Sequence, residues 1–289
     1  MDLVELKIFK AVVEHGGIIK AAAALHRVQS SVTMRVKQLE DRLGTKLFHR
    51  QGRQLVLSTE GKILLGYVDR ILSLSDEAKA ALKGDTPRGL LKIGSLESTA
   101  ATRLPPILSR YHLSHHAVRL ELVTGTTGAL VNLVHRGEVE AAFVAEPFAP
   151  AGLEKDFAFL EELVLITPKS FPKSVRDPRD IGPSTVIAFT TGCSYRRRLE
   201  TWLGRRNVIP ERVMEYGSYH AIVACTAAGS GIAVVPRSVL RTVGAEGQVV
   251  VHQLPSRIAD ARTMLVWRKG QYSSALEALR EEVAREAKI

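Results

Sequence analysis

Six side chains of one short stretch, Gln29, Ser30, Ser31, Thr33, Arg35 and Lys37, carry hydrogen-bonding and cationic groups suited to reading a polyanion, with Met34 among them. Between and beyond them Val32, Val36, Leu39 and Leu43 recur four, three and four residues apart. That spacing predicts a helix with one buried face, leaving amides, hydroxyls and cations on the other. Arginine can read guanine, glutamine adenine, and serine or threonine either, so the pattern suits a helix lying in a DNA major groove. From Arg27 to Arg53 seven Lys or Arg oppose only Glu40 and Asp41. A merely solvated helix face could have the same composition. The surroundings favour DNA. Ala21 to Leu25 is an alanine-rich helix small enough for close packing, and His26-Arg27-Val28 makes a turn. Ser30 and Ser31 offer hydroxyls to the unpartnered N–H groups at the start of the second helix. A basic hairpin carrying Arg50 and Arg53 follows as a wing. Turn, second helix and wing together predict a winged helix-turn-helix that binds double-stranded DNA.

A second set of polar residues falls at four places where a predicted strand gives way to a helix. The first holds Ser95, Glu97, Ser98 and Thr99; the second Gly125, Thr126, Thr127 and Gly128. The third holds Thr190, Gly192, Cys193 and Ser194; the fourth Tyr219, beside Gly217, Ser218 and His220. Ligands of open α/β sheets sit where strands end and helices begin. Hydroxyls and free N–H groups at helix starts suit a small carboxylate or another polar metabolite. Any single junction reads equally well as a helix cap; four converging ones predict a ligand cleft. Glu97 either favours an effector with an amino group or pairs with Arg103 and holds its lobe together. Of Arg196, Arg197 and Arg198, at least one is expected to face the cleft.

Other features carry less. His112, His115 and His116 lack an acidic or thiol partner in the sequence, so a solvated helix end is expected there and no metal site. Gly229-Ser230-Gly231 precedes a strand instead of following one and is no dinucleotide fingerprint. Cys193 has no second cysteine near it in sequence, which leaves a thiol-redox switch as the alternative to ligand sensing. No nucleophile–base pair, metal set or cofactor loop is found by motif, so no catalytic residue is assigned and no cofactor is expected.

The elements that must position these residues follow in chain order. An opening amphipathic helix sets Leu3, Leu6, Phe9 and Val13 on one side. Ser58 caps a helix from about Thr59 to Lys83, with Glu60 in its first turn. Leu64, Tyr67, Ile71, Leu74, Ala78 and Ala81 recur in it at heptad spacing, the seam of a two-stranded coil that would pair two protomers. Residues 84–89 read as a hinge. Beyond it strands alternate with helices in two rounds, at 90–145 and 185–235, joined by an extended segment from Phe157 to Pro168. Met264–Trp267 and a helix from Ser273 to Ala287 close the chain. This alternation predicts parallel sheets covered on both faces and two α/β lobes around a cleft.

With 289 residues, 45% of them hydrophobic, the chain can bury more than one core. Half of the net charge of +10 falls in residues 1–58, and residues 59–88 are neutral. Two cysteines, no signal peptide and no run of eighteen apolar residues predict a cytoplasmic protein without membrane contact. An exported solute-binding protein, which would also have two lobes, gains nothing from a basic head.

The chain also resembles the LysR-type transcriptional regulators, on residues Ala21-Ala22, Leu25, Gln29-Ser30, Leu39-Glu40, Leu43-Gly44 and Leu47-Phe48-His49-Arg50, followed by Leu57-Ser58 and Gly61. Thr33 stands where Ser is common, Gly17 where Ser is frequent and Glu140 where Asp is usual. The resemblance implies a winged helix-turn-helix over 1–58, a linker and dimerisation helix with hinge over 59–88, and an effector domain over 89–289. It also implies that this last domain is two-lobed, like the type 2 periplasmic binding proteins, with the chain crossing between lobes twice. Lobe I spans about 89–163 and 263–289, and lobe II about 164–262. A homodimer or homotetramer on an imperfect inverted repeat is then expected, switched by a small metabolite, with RNA polymerase a partner if the protein activates.

Overall fold

The computed structural model describes residues 1–289 apart from 53, 83–86, 150, 172–173, 183, 272 and 287–289. The chain divides into two compact units, the first essentially Met1–Thr86 and the second Pro87–His135 with Val139–Ile289.

The first unit begins with α1 (Leu3–Glu14), whose start is fixed by a reciprocal cap: Asp2 accepts from the Glu5 backbone N–H at 2.8 Å and Glu5 from that of Asp2 at 3.0 Å. Helices α2 (Ile18–Ala24) and α3 (Gln29–Leu43) follow, then the hairpin β1 (Phe48–Gln51) and β2 (Gln54–Leu57), and α4 (Thr59–Leu82). Ala21 and Ala22 are buried against Ile8, Val12, Val32 and Val36, which their small side chains allow. Helix α3 ends at Gly44, whose φ of +66° is the left-handed conformation of a helix C-cap. Ser58 caps α4 as expected, accepting from Gly61 N–H at 2.8 Å while donating to the Lys46 carbonyl at 2.7 Å.

Three expectations fail in this unit. Leu43 lies in the last turn of α3 and is exposed, so the buried stripe stops at Leu39. No side chain caps α3: its N-cap is Val28, and the hydroxyls of Ser30 and Ser31 are not used there. The heptad seam expected along α4 is not free along its whole length either. Val68 and Leu72 are buried with Leu6, Phe9, Leu39 and Leu47, and Leu64 and Ile71 pack against the same cluster. Ile63, Tyr67 and Leu74 instead face outward, 55–63% exposed; the side chain of Ala81 lies outside the described residues.

The second unit contains β3 (Gly89–Ser95), α5 (Glu97–Thr102), α6 (Leu104–Ser114), β4 (Val118–Thr124), α7 (Thr127–Arg136), β5 (Ala141–Ala145) and β6 (Leu153–Pro168). It continues with β7 (Thr185–Phe189), α8 (Ser194–Gly204), β8 (Arg212–Tyr216), α9 (Tyr219–Ala227), β9 (Ile232–Pro236) and α10 (Arg237–Thr242). It closes with β10 (Val249–Gln253), α11 (Ser256–Ala259), β11 (Asp260–Arg268) and α12 (Ser274–Glu286). Strand order is β4-β3-β5-β11-β6-β9-β7-β8, with β10 also on β6. The pairs β3–β4, β3–β5, β7–β8 and β7–β9 are parallel, and β6 and β11 pair antiparallel to their neighbours.

Two lobes arise because β6 is sixteen residues long and serves both. Its first part, 153–162, pairs with β11, whereas 163–168 pairs with β9 and β10. The chain returns through α11 into β11. One core gathers Leu91, Ile93, Leu104, Ile107, Tyr111 and Phe143; the other centres on Leu163–Ile166, Ile187 and Val235. At roughly 1.5–3 kcal/mol for each large apolar side chain buried, these clusters hold the lobes that frame the cleft.

Candidate DNA interface and ligand cleft

In the first unit Gln29, Ser30, Thr33, Met34 and Lys37 share one open surface along α3. Their positions fall on one helical face at i, i+1, i+4, i+5 and i+8, opposite Val32, Val36 and Leu39. Thr33 steadies itself by donating to the Gln29 carbonyl at 3.0 Å. Met34, at 55% exposure, supplies an apolar contact of the kind a thymine methyl accepts. Arg35 departs from this set: it is half-buried and its guanidinium lies 3.9 Å from the Asp2 carboxylate, on the flank of the helix. Ser31 is half-buried as well. Arg50 is exposed on β1 opposite Leu55, and Arg53 lies outside the described residues.

Glu40 joins helix and wing. Its Oε1 accepts from the backbone N–H groups of Leu47 at 2.9 Å and Phe48 at 3.3 Å, and its Oε2 meets Lys46 Nζ at 2.7 Å. Burial raises the Glu40 carboxyl, but Lys46 and the two N–H groups more than offset this and hold it below the usual range. Sequence reading saw this glutamate only as half of a Leu-Glu motif. Behind it Arg42 grips the buried Glu5 carboxylate with both amino groups, at 3.1 and 3.2 Å, tying α3 to α1.

In the second unit the strand–helix junctions converge on a cleft lined by Leu96, Glu97, Ser98, Gly125, Thr126, Phe189, Cys193, Ser194, Tyr195 and Tyr219. About 230 Å³ of space free of protein atoms lies among these residues, open solvent included. Seven of the residues named at the junctions therefore meet: Glu97, Ser98, Gly125, Thr126, Cys193, Ser194 and Tyr219.

Five others lie behind or beside the lining. Ser95 is buried and donates to the Leu96 carbonyl at 3.0 Å. Thr127 is buried and engaged with the Ala145 backbone. Thr99 is buried with no hydrogen-bond partner for its hydroxyl. Thr190 is half-buried. Gly192 has φ +92°, and a Cβ there would stand 2.9 Å from Thr126 Oγ1, so the two loops approach closely at that point. Leu96, Phe189 and Tyr195 escaped sequence reading because apolar and aromatic residues at strand ends look like core.

Arg103 does not pair with Glu97. It donates to Glu161 at 2.5 Å, and Ser238 donates to the other Glu161 oxygen at 2.8 Å. Glu161 stands on β6 next to the point where that strand changes partner, so this network ties α5 and α10 to the crossing strand. Glu97 instead has His220 Nδ1 at 4.0 Å. Burial pushes its carboxyl up, with His220 and the Tyr219 backbone N–H pulling it back only in part. Arg196, expected near the cleft, is held by Glu215, by Glu200 at 2.8 Å and by the Phe189 carbonyl at 3.2 Å. Arg198 spends its donors on the carbonyls of Glu146, Ile258 and Asp260, at 3.2, 3.2 and 2.9 Å. Ser194 donates to the same Glu146 carbonyl at 3.0 Å, a contact between lobes.

Burial also pushes the Cys193 thiol up, which keeps it protonated and away from thiolate chemistry; its Sγ lies 3.7 Å from Tyr219 Oη. Among the described residues no group of three or more His, Cys, Asp or Glu is placed to hold a metal ion. No helix among them is long and apolar enough to cross a membrane.

A winged helix-turn-helix followed by two α/β lobes around a cleft defines a class: DNA-binding regulators with a ligand-binding domain. The family is shown by direct comparison. Residues 3–62 match the bacterial regulatory helix-turn-helix protein, lysR family, and residues 84–288 the LysR substrate binding domain. The chain belongs to the LysR family of transcriptional regulators, a family of regulators and not of enzymes. It is 40% identical to the uncharacterized HTH-type transcriptional regulator YusT of Bacillus subtilis, over 96% of this chain and 93% of that one. It is 37% identical to the HTH-type transcriptional regulator GltR of the same organism, over 93% and 91% of the two chains. Among solved structures, full-length CbnR complexed with its target DNA has a TM-score of 0.69 at 25% identity, covering 99% of this chain and 100% of that one. Full-length OxyR from Pseudomonas aeruginosa has the same fold, with a TM-score of 0.74 at 21% identity over 98% and 94%.

Proposed function

We propose that this regulator binds an imperfect inverted repeat as a homodimer or homotetramer and is switched by a small metabolite held in the cleft of its second unit. The observation that carries the DNA half is the single open face of α3, with Gln29, Ser30, Thr33, Met34 and Lys37 together. Two such helices, one per protomer, address two half-sites. Pairing is assigned to the outward stripe Ile63, Tyr67 and Leu74 of α4, whose apolar surface gains most from a second copy. Domain limits of 1–58, 59–88 and 89–289 fit this division of labour. The cytoplasm is the expected compartment, and RNA polymerase the expected partner where the protein activates.

For the switch, Glu97, Ser98 and Thr126 belong to one lobe and Cys193, Ser194 and Tyr219 to the other. A ligand touching both sides favours one arrangement of the lobes only by its differential affinity for that arrangement.

The DNA assignment is tested by measuring affinity for operator and random duplexes across a salt series. Gln29→Ala should lose discrimination between them, at about 1–3 kcal/mol per lost base contact. Arg50→Ala should weaken both duplexes alike and reduce the salt slope by about 1. Equal losses on both duplexes for the two variants, with the same change in slope, would refute the division between reading and anchoring.

A further inference from the structure

Charge around the cleft is one-sided. Among the described residues that line it, Glu97 is the one formally charged side chain, and none is Lys, Arg or His. The guanidinium groups that flank it are already engaged: Arg103 with Glu161, Arg196 with Glu200 and Glu215, and Arg198 with four backbone carbonyls. A carboxylate entering this space meets a carboxylate with no free side-chain cation in the lining to offset the repulsion.

The rest of the lining suits the opposite charge. Phe189 and Tyr219 are stacked, with ring centroids 4.8 Å apart and an interplanar angle of 22°, and the Tyr195 ring lies 6.4 Å from that of Tyr219. Aromatic faces attract cations, more strongly where water is excluded. Next to Glu97, the Ser98 Oγ is fully buried and lines the same space, beside the Tyr195 hydroxyl.

We propose that the cleft takes a small organic ammonium ion, its N–H groups on the Glu97 carboxylate and the Ser98 hydroxyl and its carbon body against Phe189, Tyr195 and Tyr219. This rests on reading the cleft as the effector site. Burial of Glu97 gives the proposal independent support: the carboxylate is incompletely compensated in the unliganded protein, and a ligand cation supplies its partner. A plain amine and an amino acid share this chemistry. They differ in whether a carboxylate is also tolerated, and the N–H groups at the start of α8 offer one a place.

The test uses the full-length protein and two matched series sharing a carbon frame. One is 2-phenylethylamine, L-phenylalanine and 3-phenylpropanoate; the other is propylamine, L-alanine and butanoate. Thermal unfolding and calorimetric titration are read for each, in wild type, Glu97→Gln and Phe189→Ala. Ammonium members should raise Tm where the carboxylates do not, and Glu97→Gln should weaken them roughly 10- to 100-fold. Response to the amine but not the amino acid assigns a plain amine, and the reverse assigns an amino acid. Without ligand, Glu97→Gln should raise Tm by about 1–3 °C, because a poorly solvated charge is removed. A lower Tm would make Glu97 a contact holding the lobes together and overturn the proposal. So would failure of every member to bind. Carboxylate binding that survives Glu97→Gln but is lost in Phe189→Ala would leave the cleft as effector site and overturn only the charge preference. Binding unchanged in both variants would remove the cleft reading itself.

Discussion

Replacing Glu40 tests how the wing is held against the recognition helix. Glu40 is 8% exposed, and its Oε1 is the acceptor for the Leu47 and Phe48 backbone N–H groups at the entrance to β1. Glu40→Ala removes that acceptor. The Leu47 N–H is buried and the Phe48 N–H partly so, and an unpaired buried donor costs about 1–3 kcal/mol. Lys46 is 62% exposed, so losing its solvent-screened ion pair adds little. The expected loss is about 2–4 kcal/mol in the first unit. Glu40→Gln keeps an acceptor oxygen for the two N–H groups and should lose about 1 kcal/mol.

The assay is scanning calorimetry, since both tryptophans, Trp202 and Trp267, lie in the second unit and report nothing of the first. For a domain of this size 1 kcal/mol shifts Tm by roughly 4–8 °C, so the first unit's transition should fall by on the order of 10 °C or more in Glu40→Ala. The sign of the pH dependence follows from the depressed carboxyl. Its contribution is fully present above the ordinary value of 4.5 and is lost as pH falls through the lower folded value. A Glu40→Ala transition within about 2 °C of wild type would refute the reasoning, because two orphaned N–H groups cannot be that cheap.

Two further outcomes are expected. Leu74 is 63% exposed and belongs to neither core of the first unit, so Leu74→Glu should convert the oligomer to monomers in analytical ultracentrifugation without lowering the helical signal; an unchanged oligomer would move the pairing surface elsewhere. His252 is buried, its Nδ1 accepting from Val175 N–H at 3.2 Å and its Nε2 donating to Thr167 Oγ1 at 2.9 Å, and burial lowers its ring from the ordinary 6.5. The folded state therefore favours the neutral ring: stability contributed by His252 is complete above about pH 6.5 and falls as pH drops toward the folded value. The decline of Tm between these values should be shallower in His252→Gln than in wild type, and parallel profiles would count against it.

The parts of the fold that were legible in the sequence are those whose periodicity one buried face imposes. The α3 stripe of Val32, Val36 and Leu39 fixed both the helix and its solvent face, and hence most of the DNA-reading set. Leu43 broke from the stripe because the chain reaches its Gly44 cap there and the last turn has no core beneath it. Arg35 could not be separated from Lys37 by composition; only the position of Asp2 at the start of α1 draws it aside. Strands β5, β7 and β9 are short apolar runs buried throughout or nearly so, and read plainly. Strand β11 was seen only over Met264–Trp267, because the polar residues Asp260 and Arg262 alternate outward in its first half. Short α5, α10 and α11 give no full amphipathic period, and β10 offers only the three-residue apolar run Val249–Val251 before His252 and Gln253. The partner of Glu97 was undecidable from sequence, since both Arg103 and Glu161 reach their meeting point through tertiary packing over 58 residues.

The most direct measurement of the central claim is selection of bound fragments from sheared genomic DNA by the purified protein at near-physiological salt. Enrichment of a few sites sharing an interrupted dyad is the predicted result, with the enriched set reduced in Gln29→Ala. Uniform recovery of fragments that vanishes as salt rises would leave only phosphate binding, and would contradict sequence-specific recognition by α3.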